Sequence, residues 1–179
     1  MPVAISIRAT NDTARRIHAL WDEASCFEDR PSMAALAYPP HITLAVYDHL
    51  DHDCLRAALT TAFEGTSALC VTFDRIGWFD GMPLVLWASP KPNDNLDRTH
   101  TMVHGIIDPK LCRPHYRPGA WVPHCTLATK VIESRRHDAF AFARRAIAPF
   151  DVRFDAADVV AFPPIAVVQS YGLALQHSS

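Results

Sequence analysis

The alternation of apolar and polar residues divides this chain into short strands and amphipathic helices. Apolar residues at helical spacing predict helices over 11–25, 51–63, 94–107 and 134–147. Alternating or continuous apolar runs predict strands over 3–8, 41–47, 68–78, 84–88, 124–129, 152–161 and 165–175. The connections 26–40 and 110–122 contain prolines and are predicted to be loops. No stretch has the composition of an interdomain linker.

One hexapeptide motif occurs twice in this chain. The hexapeptide PHITLA at 40–45 returns as PHCTLA at 123–128, with five of six positions identical. A predicted helix and a proline-bearing loop precede each copy, and a helix and two strands follow it. The copies lie nearly half the chain apart, which indicates an internal duplication. We therefore expect one compact domain over residues 1–179, with lobes built around 41–47 and 124–130.

Each copy of the motif contains one histidine and one threonine, two residues apart. Alternate residues of a strand point to the same face, so His41 lies beside Thr43 and His124 beside Thr126. The residues between them, such as Ile42, face the other way and would pack under helices. If the two copies face each other, they form a site with two proton-transfer groups and two hydroxyl donors for phosphate oxygens.

Composition excludes several classes of function. Hydrophobic residues make up 49% of the chain, charged residues 20%, and the formal net charge is −2. That balance fits a soluble globular protein and gives no broad basic surface for duplex DNA. No apolar run is long enough to span a membrane, and the N-terminus lacks the pattern of a secretory signal. The five cysteines form no C-x-x-C pair, so we expect reduced thiols and a cytoplasmic monomer.

At the repeated residues the chain resembles the 2H phosphoesterase superfamily, which is named for two H-x-[TS]-x motifs. The matching segments are His41-Ile42-Thr43-Leu44 and His124-Cys125-Thr126-Leu127. The resemblance implies an α+β fold of two pseudo-symmetric lobes, with antiparallel strands lining a central cleft and helices on the outside. It implies that the two histidines and two threonines are catalytic, with His41 as the base and His124 as the acid. The near-identity of the motifs leaves that order open in the sequence itself.

The implied activity is that of 2′-5′ RNA ligase-like proteins and RNA 2′,3′-cyclic phosphodiesterases. The expected reaction opens a cyclic phosphodiester on a nucleotide or an RNA end, without a metal or another cofactor, and its reverse would form a 2′-5′ linkage. Candidates for substrate binding outside the motifs are Arg117, Tyr47, Lys130, Trp121 and Tyr171. Further candidates for the cleft are Ser6, Arg8, Lys110, Arg113, Trp78 and Trp87.

Three alternatives remain beside this expectation. Two histidines could bind zinc, although a catalytic zinc site usually has three protein ligands and no convincing third ligand is present. The same fold could be a non-catalytic module that binds a nucleotide or an RNA end. The repeat could also be a coincidence of two scaffold strands, in which case His41 and His124 would lie far apart.

Overall fold

The structure, a computed structural model, describes residues 1–174, except for the side chains of His52, Cys54 and Ala58. The last residue of the predicted strand 165–175 lies outside the described residues. The helices are α1 (Arg15–Ser25), α2 (Ser32–Ala35), α3 (His52–Phe63), α4 (Asp94–Ile106) and α5 (Arg136–Arg144). The strands are β1 (Val3–Arg8), β2 (His41–Tyr47), β3 (Leu69–Phe79), β4 (Leu84–Pro90), β5 (Cys125–Val131), β6 (Phe150–Phe154), β7 (Ala156–Ala161) and β8 (Ala166–Gly172).

The eight strands form one antiparallel sheet in the order β6-β3-β4-β5-β2-β1-β7-β8. The two motif strands, β2 and β5, are neighbours at its centre, joined by a single registered pair, Ile42 with Cys125. Each motif strand therefore belongs mainly to its own half-sheet. The first half contains β2, β1, β7 and β8, and the second contains β5, β4, β3 and β6. This arrangement confirms the expected α+β fold.

The two halves of the chain exchange strands. Strands β3 and β4 follow the first motif in sequence but lie in the half-sheet of the second motif. Strand β7 follows the second motif and pairs with β1 along its whole length, from Val3 opposite Ala161 to Arg8 opposite Ala156. The helices also cross over, since α1 packs on β5 and α4 packs on β2. The exchange brings both motifs to the centre of one sheet.

Both motif strands carry a register shift at the equivalent position. In β2, Thr43 and Ala45 pair with two consecutive residues of β1. In β5, Thr126 and Ala128 likewise pair with two consecutive residues of β4. One extra residue, Leu44 or Leu127, is thus inserted immediately after the motif threonine. Such an insertion reverses the alternation of faces beyond it.

The structure differs from the sequence prediction in three places. The predicted loop 26–40 contains the short helix α2, and the predicted helix 134–147 ends at Arg144. The predicted strand 152–161 is divided at Asp155 into β6 and β7. The Asp155 carboxylate accepts hydrogen bonds from the backbone N–H of Thr10 and the side-chain amide of Asn11, which holds the chain in a turn between the half-sheets. Within residues 1–174, no helix combines the length and apolar content needed to cross a bilayer.

Candidate active site

Both motif histidines are fixed by the same local hydrogen bond. The Nδ1 atom of His41 lies 2.8 Å from the carbonyl oxygen of Pro39, and that of His124 lies 2.7 Å from the carbonyl oxygen of Val122. A carbonyl can only accept, so each ring carries its proton on Nδ1 in the neutral state. The lone pair of Nε2 is then left for chemistry. The prolines at 40 and 123 hold the accepting residue in extended geometry and make the arrangement rigid.

The structure brings all four motif residues to one cleft. A cavity of about 240 Å³ is lined by His41 and Thr43, and an adjoining cavity of about 460 Å³ is lined by His124 and Thr126. His124, Thr126 and Tyr116 line both cavities, which therefore lie on either side of these residues and form the two halves of one cleft. If the repeat were a coincidence of two scaffold strands, the two histidines would lie far apart. In the structure, His41 and His124 line the same cavity.

The half of the cleft around His41, here called the polar half, has polar neighbours at the histidine, although apolar residues such as Leu36 and Phe162 also line it. The Ser6 hydroxyl lies 3.3 Å from that of Thr43 on the neighbouring strand. The Tyr38 ring meets the His41 ring edge-on, with centroids 4.8 Å apart. The Tyr38 hydroxyl donates a 2.8 Å hydrogen bond to the buried carboxylate of Asp158, which also forms an ion pair with the Arg8 guanidinium.

The half of the cleft around His124 is aromatic. The Phe79 ring meets the His124 ring edge-on at 5.0 Å, and the Trp87 ring lies 5.8 Å from it. Phe79 and Trp87 stack on each other with centroids 5.1 Å apart. The indole lies over Gly77, where an added Cβ would come within 2.5 Å of the ring. Glycine at that position is thus required by the close approach of the tryptophan.

Burial favours the neutral form of both histidines. It lowers the pKa of His41, and a positive charge on His124 lowers it further, whereas the Pro39 carbonyl and Asp158 oppose the change. Burial also lowers the pKa of His124, opposed by the Val122 carbonyl. The two rings are thus close enough for the charge of one to affect the other. In the unliganded protein both imidazoles are mainly neutral at neutral pH.

Trp121 lies in the cleft, but its indole N–H is already used. It lines the larger cavity, donates a 3.0 Å hydrogen bond to the carbonyl of Thr43, and stacks on His100 at 4.0 Å. Trp21 makes the corresponding contact on the other motif, since its indole donates a 2.9 Å hydrogen bond to the carbonyl of Thr126. Beyond their single registered pair, β2 and β5 diverge, and each of the two indoles donates a hydrogen bond to one of these strands at its motif threonine.

The other four candidates for substrate binding do not line the cleft. Tyr47 is fully buried in the core, because the register shift after Thr43 turns Val46 toward the cleft in its place. Tyr171 is buried beneath α3 and donates a hydrogen bond to a carbonyl of that helix. Arg117 donates to two carbonyls within its own loop. Lys130 is exposed and lines a separate surface groove.

Two residues of the polar half were missed by the sequence reasoning. Asp158 is the one charged residue in the apolar strand AADVVA, which is a signal that could have been noticed. Tyr38 immediately precedes the prolines of the first motif, but nothing in its sequence context points to the cleft.

The further candidates Ser6 and Arg113 line the smaller cavity, and Arg113 forms an ion pair with Asp48. Among the described residues, no group of three or more His, Cys, Asp or Glu is placed to hold a metal ion.

Comparisons with known proteins agree with this geometry. A family model described as the 2′-5′ RNA ligase superfamily matches residues 11–163. TT0787 of Thermus thermophilus is similar in structure, with 15% identity, a TM-score of 0.63, and coverage of 99% of this chain and 100% of that one. E. coli LigT complexed with 3′-AMP gives 16% identity, a TM-score of 0.61, and coverage of 97% and 99%.

A structure described as a phosphoesterase gives 16% identity and a TM-score of 0.59, with coverage of 96% of this chain and 97% of that one. No curated protein matches the sequence. At these identities the structural likeness establishes the fold, while the family match extends over most of the chain and includes both motifs. The chain belongs to the 2′-5′ RNA ligase superfamily, the 2H phosphoesterases.

Proposed function

We propose that this protein is a metal-independent phosphodiesterase that opens a cyclic phosphodiester, most simply the 2′,3′-cyclic phosphate of a nucleotide or an RNA end. One neutral histidine takes a proton from the attacking water as the new P–O bond forms. The other histidine, protonated, gives its proton to the ribose oxygen as the P–O bond to that oxygen breaks. With the 5′-hydroxyl of a second RNA end in place of water, the same steps would join the two ends through a 2′-5′ linkage, and the reverse of that joining would regenerate the cyclic phosphate. The proposal rests chiefly on the matched Nδ1 bonds, which leave Nε2 of both rings for proton transfer within one cleft.

The unequal cavities support His124 as the acid and His41 as the base. Ligand pockets are commonly about 300–1,000 Å³. Of the two cavities that form the cleft, the smaller one, about 240 Å³, does not fall in this range, and the aromatic one, about 460 Å³, does. Its aromatic lining suits a nucleobase. Both ester oxygens of a 2′,3′-cyclic phosphate belong to the same ribose, so the leaving oxygen lies on the nucleoside's side of the phosphorus. Water then attacks from the side of the smaller cavity, next to His41.

The motif threonines are suited to stabilise the phosphorane-like transition state. Negative charge grows on the non-bridging oxygens as water adds, and hydroxyl donors fixed in position stabilise it without reorganising. Thr43 and Thr126 lie on the two central strands and both line the cleft. Ser6 supplies a third hydroxyl beside Thr43.

Substrate binding supplies the protonation state that the reaction needs. Both histidines have a lowered pKa in the free protein, so a protonated acid is scarce at neutral pH. A bound phosphate anion places a negative charge between the rings, which raises the pKa of both. Repulsion between two imidazolium rings then favours the state with one proton, the state that the mechanism uses.

The decisive experiment is a substrate panel on the purified protein. It would contain nucleoside 2′,3′-cyclic phosphates, an RNA oligonucleotide ending in a cyclic phosphate, and 2′-5′ and 3′-5′ dinucleotides, with the position of the phosphate in each product recorded by NMR. We expect turnover of the cyclic phosphates and discrimination between the two dinucleotide linkages. Binding of these ligands without turnover would contradict the proposal and favour the non-catalytic module.

A further inference from the structure

The buried carboxylate of Asp158 has no evident role in folding. It lies in the otherwise apolar strand β7 and is 1% exposed. Burying a charge is costly unless it is paired and hydrogen-bonded. Both of its observed partners, the Arg8 guanidinium and the Tyr38 hydroxyl, contact the same oxygen, Oδ2. Among the described residues, Oδ1 has no hydrogen-bond partner. An aliphatic side chain would be the simpler choice for the core at this position.

The partners of Asp158 converge on His41. Arg8 lies opposite His41 in the pairing of β1 with β2. Tyr38 joins the carboxylate to the His41 ring, because its hydroxyl donates to Asp158 and its ring packs edge-on against the imidazole. Burial and the neighbouring carboxylate raise the pKa of Tyr38, so this hydroxyl stays protonated and remains a donor.

Nothing equivalent stands beside His124 among the described residues. In the pairing of β7 with β1, Asp158 lies opposite Ser6, which itself lies opposite Thr43. In the other half-sheet, Gly77 lies opposite Trp87, which lies opposite Thr126. Glycine therefore occupies the position that corresponds to Asp158. The network makes two otherwise matched histidines unequal.

We propose that Asp158 is a positioning residue that, together with Tyr38 and Arg8, holds His41 and stabilises the imidazolium formed when His41 accepts a proton. This inference rests on the proposed function for the source of that proton. A buried negative charge near one imidazole favours its protonated form, so Asp158 makes His41 a stronger base than it would be in the same site without the carboxylate. The influence of Asp158 on the pKa of His41 has this sign. Among the described residues, the titratable or charged side chains around His41 are those of Arg8, Tyr38, Asp158, His124, Arg113, Tyr116 and Cys125.

The test is an NMR titration of the two imidazoles, which needs no turnover. In Asp158→Asn we expect the midpoint of His41 to fall by about one pH unit, equivalent to a tenfold change in proton affinity, and that of His124 to move less. Tyr38→Phe keeps the carboxylate and the ring but removes the hydroxyl that joins them, so it should shift the His41 midpoint less than Asp158→Asn does. Asp151→Asn, an exposed carboxylate on β6, is the matched control and should change neither midpoint.

The same variants give a kinetic readout. The acid limb of the kcat/KM profile should move to lower pH in Asp158→Asn and move less in Tyr38→Phe, with KM little changed in both. If Asp158→Asn does not fold, the paired variant Arg8→Met with Asp158→Asn leaves no buried charge unpaired and should lower the His41 midpoint in the same direction. An unchanged His41 midpoint in a folded variant, or equal shifts of both histidines, would overturn the proposal. A wild type without turnover would instead count against the proposed function alone.

Discussion

The two halves of the cleft carry the same motif in different surroundings. Around His41 the neighbours are a hydroxyl, a tyrosine and a buried ion pair. Around His124 they are two stacked aromatic rings over a glycine. The backbone is matched in both halves, including the Nδ1 hydrogen bond and the register shift after the threonine.

The comparison separates what the motif provides from what its neighbours provide. The motif fixes an imidazole and a hydroxyl on each central strand and so makes the chemistry possible in either direction. In the proposed mechanism the neighbouring strands, β1 and β7 on one side and β4 and β3 on the other, decide which histidine faces water and which faces a nucleoside. The proposal therefore assigns direction and specificity to the residues that differ between the halves.

Loss of either imidazole should have the largest effect. We expect His41→Ala and His124→Ala each to lower kcat by ~10²–10⁴-fold, the usual contribution of general acid–base catalysis. Steady-state kinetics on a nucleoside 2′,3′-cyclic phosphate measure this. His137→Ala, an exposed histidine on α5, is the matched control and should retain full activity. Substantial turnover in either motif variant would mean that the halves do not share one reaction.

Removing the motif hydroxyls should have a smaller and unequal effect. Loss of one donor to a developing oxyanion costs up to about 10²–10³-fold in kcat. Thr126→Val should approach this loss. Thr43→Val should lose less, because the Ser6 hydroxyl remains beside it. The ratio of the two kcat values measures the difference between the halves, and the double variant Ser6→Ala with Thr43→Val should remove it.

The aromatic half should govern substrate binding. Stacking of a base on an aromatic side chain contributes ~1–3 kcal/mol, so Phe79→Leu should raise KM roughly fivefold or more with little change in kcat. Ribose 2,3-cyclic phosphate, which has no base, should not respond to this variant. Leu36→Ala, in the smaller cavity, is the matched change in the polar half and should leave KM for a mononucleotide unaltered. Equal effects of both variants would place the base elsewhere.

The pH dependence should reveal both histidines. Because burial lowers the pKa of each, a proton is held only at a lower pH than in a free imidazole. The kcat/KM profile, which reports the free enzyme, should be a bell with its maximum below pH ~6.5. The kcat profile should lie at higher pH, since bound phosphate raises both pKa values. A flat profile between about pH 5 and 9 would contradict a mechanism with two histidines.

Chelation should have no effect. The proposed mechanism assigns proton transfer to the histidines and charge stabilisation to the hydroxyls of the two halves. Activity should therefore be unchanged after dialysis against EDTA, measured against a sample to which Mg²⁺ or Zn²⁺ is added back. Loss of activity that a metal restores would favour the zinc alternative and would replace the roles given to the threonines.

Local patterns in the sequence predict the elements and the motif chemistry, but not the pairing of strands. The bounds of β1 and β2 agree with the structure, because alternation and prolines act within a few residues. Simple alternation places Tyr47 on the cleft face, and the extra residue Leu44 reverses that face. Register shifts depend on the partner strand, so no local pattern in β2 signals one.

The unequal surroundings of the histidines also depend on distant parts of the chain. Asp158 reaches His41 only because β7 pairs with β1, and Trp87 reaches His124 only because β4 pairs with β5. Both pairings are set by the exchange of strands between the two halves of the sequence. A duplicated motif predicts two similar lobes, but it does not tell which strands complete each lobe.

The strand exchange has a consequence for how the protein is made. Strand β1 is synthesised long before β7, and one of its edges stays unpaired until β7 follows, with Ala161 opposite Val3. An open strand edge invites pairing with other chains. A product terminated before β7 would therefore keep both motifs but lack the partner of β1 and the carboxylate beside His41. We expect such fragments to aggregate and to be cleared by proteolysis, so that the cleft is complete only after β7 has been synthesised.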